Sequence, residues 1–323
     1  MDINTRRMEL NQQLETLYKE RMKLNEEIIS EDKELRRFLE NALDKAPLNW
    51  PECASVACQG VAGANSQAAA EQFFRYPDIT YFKTFEDVFE AIEDGVCEYG
   101  ILPIENSTAG SVNKTYDLMA DHKCYIVRST KIRIEHNLMV KPGTKLDGIT
   151  EIYSHPQALA QCADYLSDNF PDVKIKECEN TAAAAKKVAE SSEPIAAICA
   201  RNCAELYNLK NICPGIQDYD NNYTRFITIS KTPQIYPGAD KTSIMVTLSH
   251  KPGSLYHILG KFEEKGYNLV KLESRPIPAT DFEVMFYFDY MASMYHHEFV
   301  NTLCELDNMA ESMTYLGSYT EKA

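Results

Sequence analysis

The stretch CQGVAGANSQAAAEQF (Cys58–Phe73) joins the end of a short β-rich run to an alanine-rich helix, with Gly63, Asn65 and Ser66 at the junction. The same arrangement recurs downstream. Runs such as ITYF, YGILPI, CYIVRST, ITEIYS, VKIKE and IAAICA alternate with helical stretches between residues 53 and 230. After Thr84, the residues Phe85, Val88, Phe89 and Ile92 fall at i, i+3, i+4 and i+7, and Thr84 and Asp87 are spaced as a capping box. Strand–helix alternation of this kind predicts an α/β domain with a largely parallel sheet.

The segment SKTPQIYPGADK (230–241), with two prolines and a glycine, reads as a linker. Beyond it the order is strand SIMVTLS, a helix from Gly253, strands NLVKLESR and EVMFYFDY, a helix near EFVNTLCELDNM, and a last strand MTYLGSY. Leu255, Ile258, Leu259 and Phe262 share one face of the first helix, and Phe299, Leu303 and Leu306 one face of the second. This predicts a separate βαββαβ unit over 241–320. At the other end, residues 1–47 have no proline before Pro47 and read as one long helix. Leu10, Leu14, Leu17, Leu24, Ile28, Leu35 and Phe38 follow a seven-residue repeat that Arg21 and Glu31 interrupt.

The 323 residues carry 33 Lys+Arg against 48 Asp+Glu, a net charge of −15 spread along the chain, which argues against nucleic acid or an anionic membrane as partner. An anionic ligand must therefore be held by local dipoles and a few placed groups. No apolar run approaches the roughly 18 residues of a membrane span, and the N-terminus has no secretory h-region. The ten cysteines are scattered in apolar runs without a CxxC pair, which fits free thiols in a reducing cytoplasm.

Four segments place hydroxyl or amide residues where a strand gives way to a helix. Besides Cys58–Phe73 these are LPIENSTAGSVNKTYDLM (Asn106, Ser107, Thr108, Ser111), IYSHPQALAQC (Ser154 as a cap, with Pro156 in the first turn) and ECENTAAAAKKV (Asn180, Thr181). In open α/β sheets ligands lie beyond the carboxyl ends of the strands, and helix N-termini there favour anions. No P-loop, GxGxxG, GxSxG or HExxH pattern occurs, so the expected site has neither metal nor cofactor. NNYTRFITIS (221–230) adds a strand that sets Thr224 beside Arg225.

GVAGANSQAA, LPIENSTAGSV, YSHPQALAQC, ECENTAAAA and NYTRF, in this order, resemble the successive motifs of prephenate dehydratases. KTSIMVTLSHKPGSLYHIL and LESRPI resemble the ACT domain that binds phenylalanine as feedback inhibitor in those enzymes. The resemblance implies a two-lobed catalytic domain over 53–232, like a periplasmic binding protein, with substrate between its lobes, followed by an ACT domain. Prephenate, a dianion, would lose water and carbon dioxide to give phenylpyruvate in phenylalanine biosynthesis. Thr224 matches the family's essential threonine and would donate to the departing hydroxyl. Arg225 would hold a carboxylate, which requires an irregular strand start, because successive residues on a regular strand face opposite ways. Ser66, Asn106, Ser107, Ser154, Gln161, Glu179, Thr181 and Phe226 are the further substrate-site candidates. Ser154 and Gln161, seven apart, would share a helix face. Glu179 would hydrogen-bond in its protonated form or orient its neighbours.

By the same resemblance phenylalanine would contact Gly253, Ser254, Leu255, Glu273, Ser274, Arg275 and Pro276. The family's Gly-Ala-Leu-Val is here Gly253-Ser254-Leu255-Tyr256, which bears on affinity and on the sign of the effect. LETLYKERMKLNEEI resembles the first helix of the helical chorismate mutases, with Arg21 matching a substrate-binding arginine. One helix of three before Pro47 implies a remnant used for packing or assembly rather than an intact mutase. A homodimer or homotetramer is expected. Arogenate as substrate, or a non-catalytic sensor of small acids, are the alternative readings.

Overall fold

The computed structural model describes residues 34–277, 284–293, 295–296 and 298–322. The heptad positions from Leu10 to Ile28, together with Arg21 and Glu31, lie outside the described residues. The chain divides into two units, the larger spanning Pro47–Ala239 and taking in the end of the last strand from Leu316 on.

The larger unit contains two sheets. In the first, β1 (Cys53–Gln59) pairs in parallel with β2 (Tyr76–Phe82) and β3 (Tyr99–Asn106). A two-residue strand, β4 (Gly110–Ser111), folds back on the end of β3. β5 (Tyr125–Arg133) leads on to the second sheet, which holds β6 (Asn137–Val140), β7 (Glu151–Ser154), β8 (Lys174–Glu177), β9 (Ile195–Cys199) and β10 (Lys210–Cys213) in the order β10-β6-β9-β7-β8. β11 (Tyr223–Ser230) then returns the chain to the first sheet, antiparallel between β3 and β5. The expected largely parallel sheet is thus two mixed sheets. Within each, the βα repeats pair in parallel; β11 is a return strand and runs antiparallel, as does β6, the strand on which the chain enters the second sheet.

Every residue of β9 is buried, which suits a central strand covered on both faces. One face packs on α7 (Thr181–Glu190) through Ala182, Ala185 and Val188. The other packs on Cys162 and Leu166, at and within α6 (Ala163–Asn169), which follows α5 (Pro156–Ala160). On the first sheet, Ala69, Ala70 and Phe73 of α2 (Asn65–Phe73) pack against Val56, Ile101 and Phe226. α3 (Phe85–Glu93) opens with the expected capping box, Thr84 and Asp87 each taking the other's backbone N–H at 3.1 and 2.9 Å. α4 (Asn113–Asp121) and the short α8 (Cys203–Leu206) complete the unit.

The smaller unit contains β12 (Lys241–Thr247), α9 (Ser254–Glu264), β13 (Asn268–Pro276), β14 (Val284–Met291), α10 (Phe299–Met309) and residues 312–315 of β15 (Ser312–Lys322), in the expected βαββαβ order. The described N-terminal helix, residues 34–44, belongs with it; there Leu39 is fully buried and the Phe38 ring meets Tyr315 edge-on at 6.3 Å. β12 and β13 each run antiparallel to β14 and hence parallel to one another. Their carboxyl ends therefore lie at the same end of the sheet, where α9 begins. No helix among the described residues is long and apolar enough to cross a membrane.

Candidate active site

A cavity of about 360 Å³ opens in the larger unit, within the range typical of small-ligand sites. Helix beginnings surround it. Ala64, Asn65 and Ser66 come from the start of α2, Asn180 and Thr181 from that of α7, and Val112 and Phe85 stand at the starts of α4 and α3. Asn180 caps α7 by accepting from the Ala183 N–H at 2.7 Å. α2 has Ala64 at its N-cap and no side-chain cap. With Ala64, Asn65 and Ser66 in the lining, the positive end of the α2 dipole lies at the cavity. The turn into α2 depends on Gly63 at φ +88°, where a Cβ would be strained and would meet Cys203 Sγ at 3.0 Å.

β11 brings Thr224 and Phe226 to the cavity. Thr224 pairs with Asn106 across β3, and a register shift follows between Arg225 and Phe226, where Phe226 pairs with Pro103 and Ile104 is skipped. This bulge sits beside Thr224, Asn106, Pro103 and Phe226, all of which line the cavity. The Asn106 amide orientation is fixed by its surroundings. Its Oδ1 accepts from the Thr108 and Ala109 backbone N–H groups at 3.1 and 2.8 Å, which can only donate. The other end is therefore NH₂, and it donates to Thr224 Oγ1 at 3.0 Å. Thr224 takes a hydrogen bond there, and no acceptor among the described residues takes its proton.

Of the sequence-predicted site residues, the cavity brings together Ser66, Asn106, Gln161, Glu179, Thr181, Thr224 and Phe226. Three others lie elsewhere. Arg225 is only 5% exposed and points away from the Thr224 side, as strand alternation requires. Its guanidinium donates to Tyr319 Oη at 3.0 Å and lies 3.6 Å from Glu105 and 3.5 Å from Glu321. The irregularity that would have turned it toward the ligand falls one residue too late. Ser154 remains in β7, and its fully buried hydroxyl donates to the Ile198 carbonyl at 2.6 Å. The helix starts at Pro156, so Ser154 and Gln161 share no helix face; His155 is the cap, its Nδ1 accepting from the Gln157 N–H at 3.2 Å. Ser107 is exposed and clamps the loop before β11, donating to the Asn221 carbonyl and accepting from the Tyr223 N–H, both at 2.9 Å.

The lining contains no Lys or Arg. Its ionisable groups are His136, His155 and Glu179. Burial holds both imidazoles below their ordinary pKa, more than offsetting the Gln161 hydrogen bond at His136 and the Glu177 charge at His155. His136 had no signal in the sequence; nor did Asn222, beyond its position two residues before Thr224. Both meet Gln161: His136 Nε2 lies 2.8 Å from Gln161 Oε1, and Asn222 Nδ2 donates to the same oxygen at 2.9 Å. Among the described residues no cluster of His, Cys, Asp and Glu could hold a metal ion. In the smaller unit, Gly253 at φ +90° is the N-cap of α9, with Ser254 and Leu255 following it. Glu273, Ser274, Arg275 and Pro276 end β13, at the same end of the sheet.

The sequence pattern described as Prephenate dehydratase matches residues 56–234, more than half of the chain. This chain belongs to the prephenate dehydratase family. A bifunctional chorismate mutase/prephenate dehydratase of Stutzerimonas stutzeri is 35% identical over 302 residues, covering 92% of this chain and 81% of its own. An arogenate dehydratase/prephenate dehydratase of Arabidopsis thaliana is 36% identical over 277 residues, covering 82% of this chain and 72% of its own. Among solved structures, GqqA, a quorum-quenching acylase, superposes with TM-score 0.75 at 28% identity, covering 83% of this chain and 98% of its own. The prephenate dehydratase of Arthrobacter aurescens in complex with L-Phe does so with TM-score 0.74 at 30% identity, covering 82% and 90%. Every member of the cavity lining falls inside the matched segment.

Proposed function

We propose that the chain is a prephenate dehydratase, a lyase that converts prephenate to phenylpyruvate, with Thr224 as its hydrogen-bond donor to the leaving group. The ring carboxylate leaves as carbon dioxide, and its electron pair enters the ring. The C–O bond opposite breaks with its electron pair on oxygen, and the departing hydroxide becomes water by taking a proton through the Thr224 hydroxyl, which regains one from solvent water. Aromatisation supplies the driving force, so the site needs to place the dianion and assist the hydroxyl rather than supply a strong base. The observation that carries this reading is the Thr224 hydroxyl, which accepts from Asn106 and keeps its proton for the cavity. The N-termini of α2 and α7 supply positive dipole ends without a mobile cation. Acyl transfer, as in the similar acylase, would need a base on the nucleophile. An amide N–H that donates to Thr224 cannot remove its proton.

A second reading is favoured by one residue. Glu179, the carboxylate in the lining, would suit the ammonium that arogenate carries in place of the keto oxygen. Purified protein incubated with prephenate should yield phenylpyruvate, read by its absorbance. A parallel incubation with arogenate should yield phenylalanine only if the second reading holds, and no product from either compound sinks both.

The smaller unit is proposed as an ACT domain with its phenylalanine site where α9 begins beside the end of β13, in support of which the similar Arthrobacter enzyme binds L-Phe. Added phenylalanine should raise the melting temperature or change the rate, and Ser274→Ala or Arg275→Ala should blunt that response. The free state of all ten cysteines fits the proposed cytoplasmic location.

A further inference from the structure

Asn222, only 1% exposed, sits just before β11 and outside the cavity lining, yet its amide touches two residues of that lining. We propose that Asn222 is a positioning residue which, through a closed ring of hydrogen bonds, locks the amides of Asn106 and Gln161 so that Gln161 turns an N–H donor, and not its oxygen, to the cavity.

The ring has four members. Asn106 Nδ2 donates to Asn222 Oδ1 at 2.9 Å, and Asn222 Nδ2 to Gln161 Oε1 at 2.9 Å. Gln161 Nε2 donates to Thr108 Oγ1 at 2.7 Å, and Thr108 Oγ1 returns the bond to Asn106 Oδ1 at 2.7 Å. All four bonds run in one sense, so each polarises the next. The direction is imposed from outside, by the two backbone N–H groups that hold Asn106 Oδ1. Since Asn106 must donate, Asn222 must accept with its oxygen and donate with its nitrogen. Gln161 is thereby made to turn its oxygen inward, and His136 must carry its proton on Nε2 to meet that oxygen at 2.8 Å.

The consequence for a dianion rests on the dehydratase reading above. With its oxygen engaged twice and one amide hydrogen on Thr108, Gln161 has a second amide hydrogen that no acceptor among the described residues claims. That hydrogen is available to a substrate oxygen. Were the ring reversed, Gln161 would present a carbonyl oxygen to a carboxylate. Asn222 decides which, without itself reaching the substrate.

Asn222→Asp tests this, because a carboxylate can accept from Asn106 but cannot donate to Gln161. At pH 8 kcat/KM for prephenate should fall roughly tenfold to a hundredfold, the scale of a small misplacement in a preorganised site. It should recover toward the wild-type value as pH is lowered toward 5 and the introduced carboxyl takes up a proton and donates again. Spontaneous conversion of prephenate is subtracted at each pH. A residue that merely fills space would show no such recovery, and full activity of the variant at pH 8 overturns the proposal. Wild-type turnover of prephenate tests the dehydratase reading separately. Should the variant not fold, nitrogen-15 NMR of the unmodified protein still decides. A neutral His136 with its proton on Nε2 supports the ring, and a proton on Nδ1 with Nε2 bare refutes it.

Discussion

The two faces of β11 differ in charge. On one face Thr224 and Phe226 look into a cavity whose lining holds no Lys or Arg. On the other, Arg225 lies between Glu105 and Glu321 with Tyr319 on its guanidinium. The cation that the motif sets beside Thr224 is thus already compensated by two carboxylates and has little charge to offer a substrate. On this strand, charge is paired on one face, while the other face turns an uncharged hydroxyl to the cavity. For a protein of net charge −15, an anion in this cavity would meet a hydroxyl, amides and helix N-termini rather than a Lys or Arg.

The sharpest way to break the contrast is to remove the hydroxyl from the neutral face. Thr224→Ala should lower kcat by about a hundredfold to ten-thousandfold, the usual worth of a positioned proton donor, with the melting temperature nearly unchanged. Thr224→Ser should recover much of the loss. Residual kcat in the alanine variant close to wild type would remove Thr224 from the mechanism.

On the charged face the effect should move from rate to stability. Arg225→Leu removes the guanidinium from Glu105 and leaves Glu321 with Lys131 at 2.7 Å, beside a buried apolar side chain. Breaking a buried ion pair costs about 3–5 kcal/mol, and the partial exposure of Glu105 and Glu321 brings the expectation down to about 2–3 kcal/mol. Urea unfolding of the variant checks it. A folded variant with wild-type stability and lost substrate affinity would return Arg225 to the ligand.

Strand–helix alternation, the βαββαβ order and the Thr84–Asp87 capping box are local features, and they were legible in the sequence. Thr224 was picked out through resemblance rather than pattern, and it lines the cavity. Side-chain direction was legible only where a rule of parity applies. Alternation along β11 already pointed Arg225 away from Thr224, and a bulge before it was needed to say otherwise. Ser154 was misread because the residue that caps α5 is one further on, and a hydroxyl at a strand end bonds across the sheet as readily as along the helix. Asn222 and His136 carried no usable signal. Their pairings with Gln161 and Asn106 are made by the fold across dozens of residues.

Ser154→Ala separates these readings at a smaller scale. Loss of its bond to the Ile198 carbonyl should cost about 1 kcal/mol of stability and leave KM for prephenate unchanged, because the hydroxyl faces the sheet. A severalfold rise in KM without loss of stability would place it back in the cavity.

The mildest effect concerns keeping the neutral face neutral. Burial depresses the His136 pKa, and that of His155 as well, so the unfolded chain takes up protons on these imidazoles before the folded protein does. Stability from this source is complete above the unfolded value of about 6.5 and is lost as pH falls below it toward the folded values. The melting temperature should therefore decline between pH 7 and pH 5. The slope is bounded by about 1.4 kcal/mol per pH unit for each proton taken up. His136→Gln, which can still donate to Gln161 Oε1, should flatten the decline and leave a residue due to His155. A profile unchanged by that substitution would mean that His136 charges as easily in the folded protein as in the unfolded chain. The cavity would then carry a cation below neutrality, and the contrast between the two faces of β11 would hold only at higher pH.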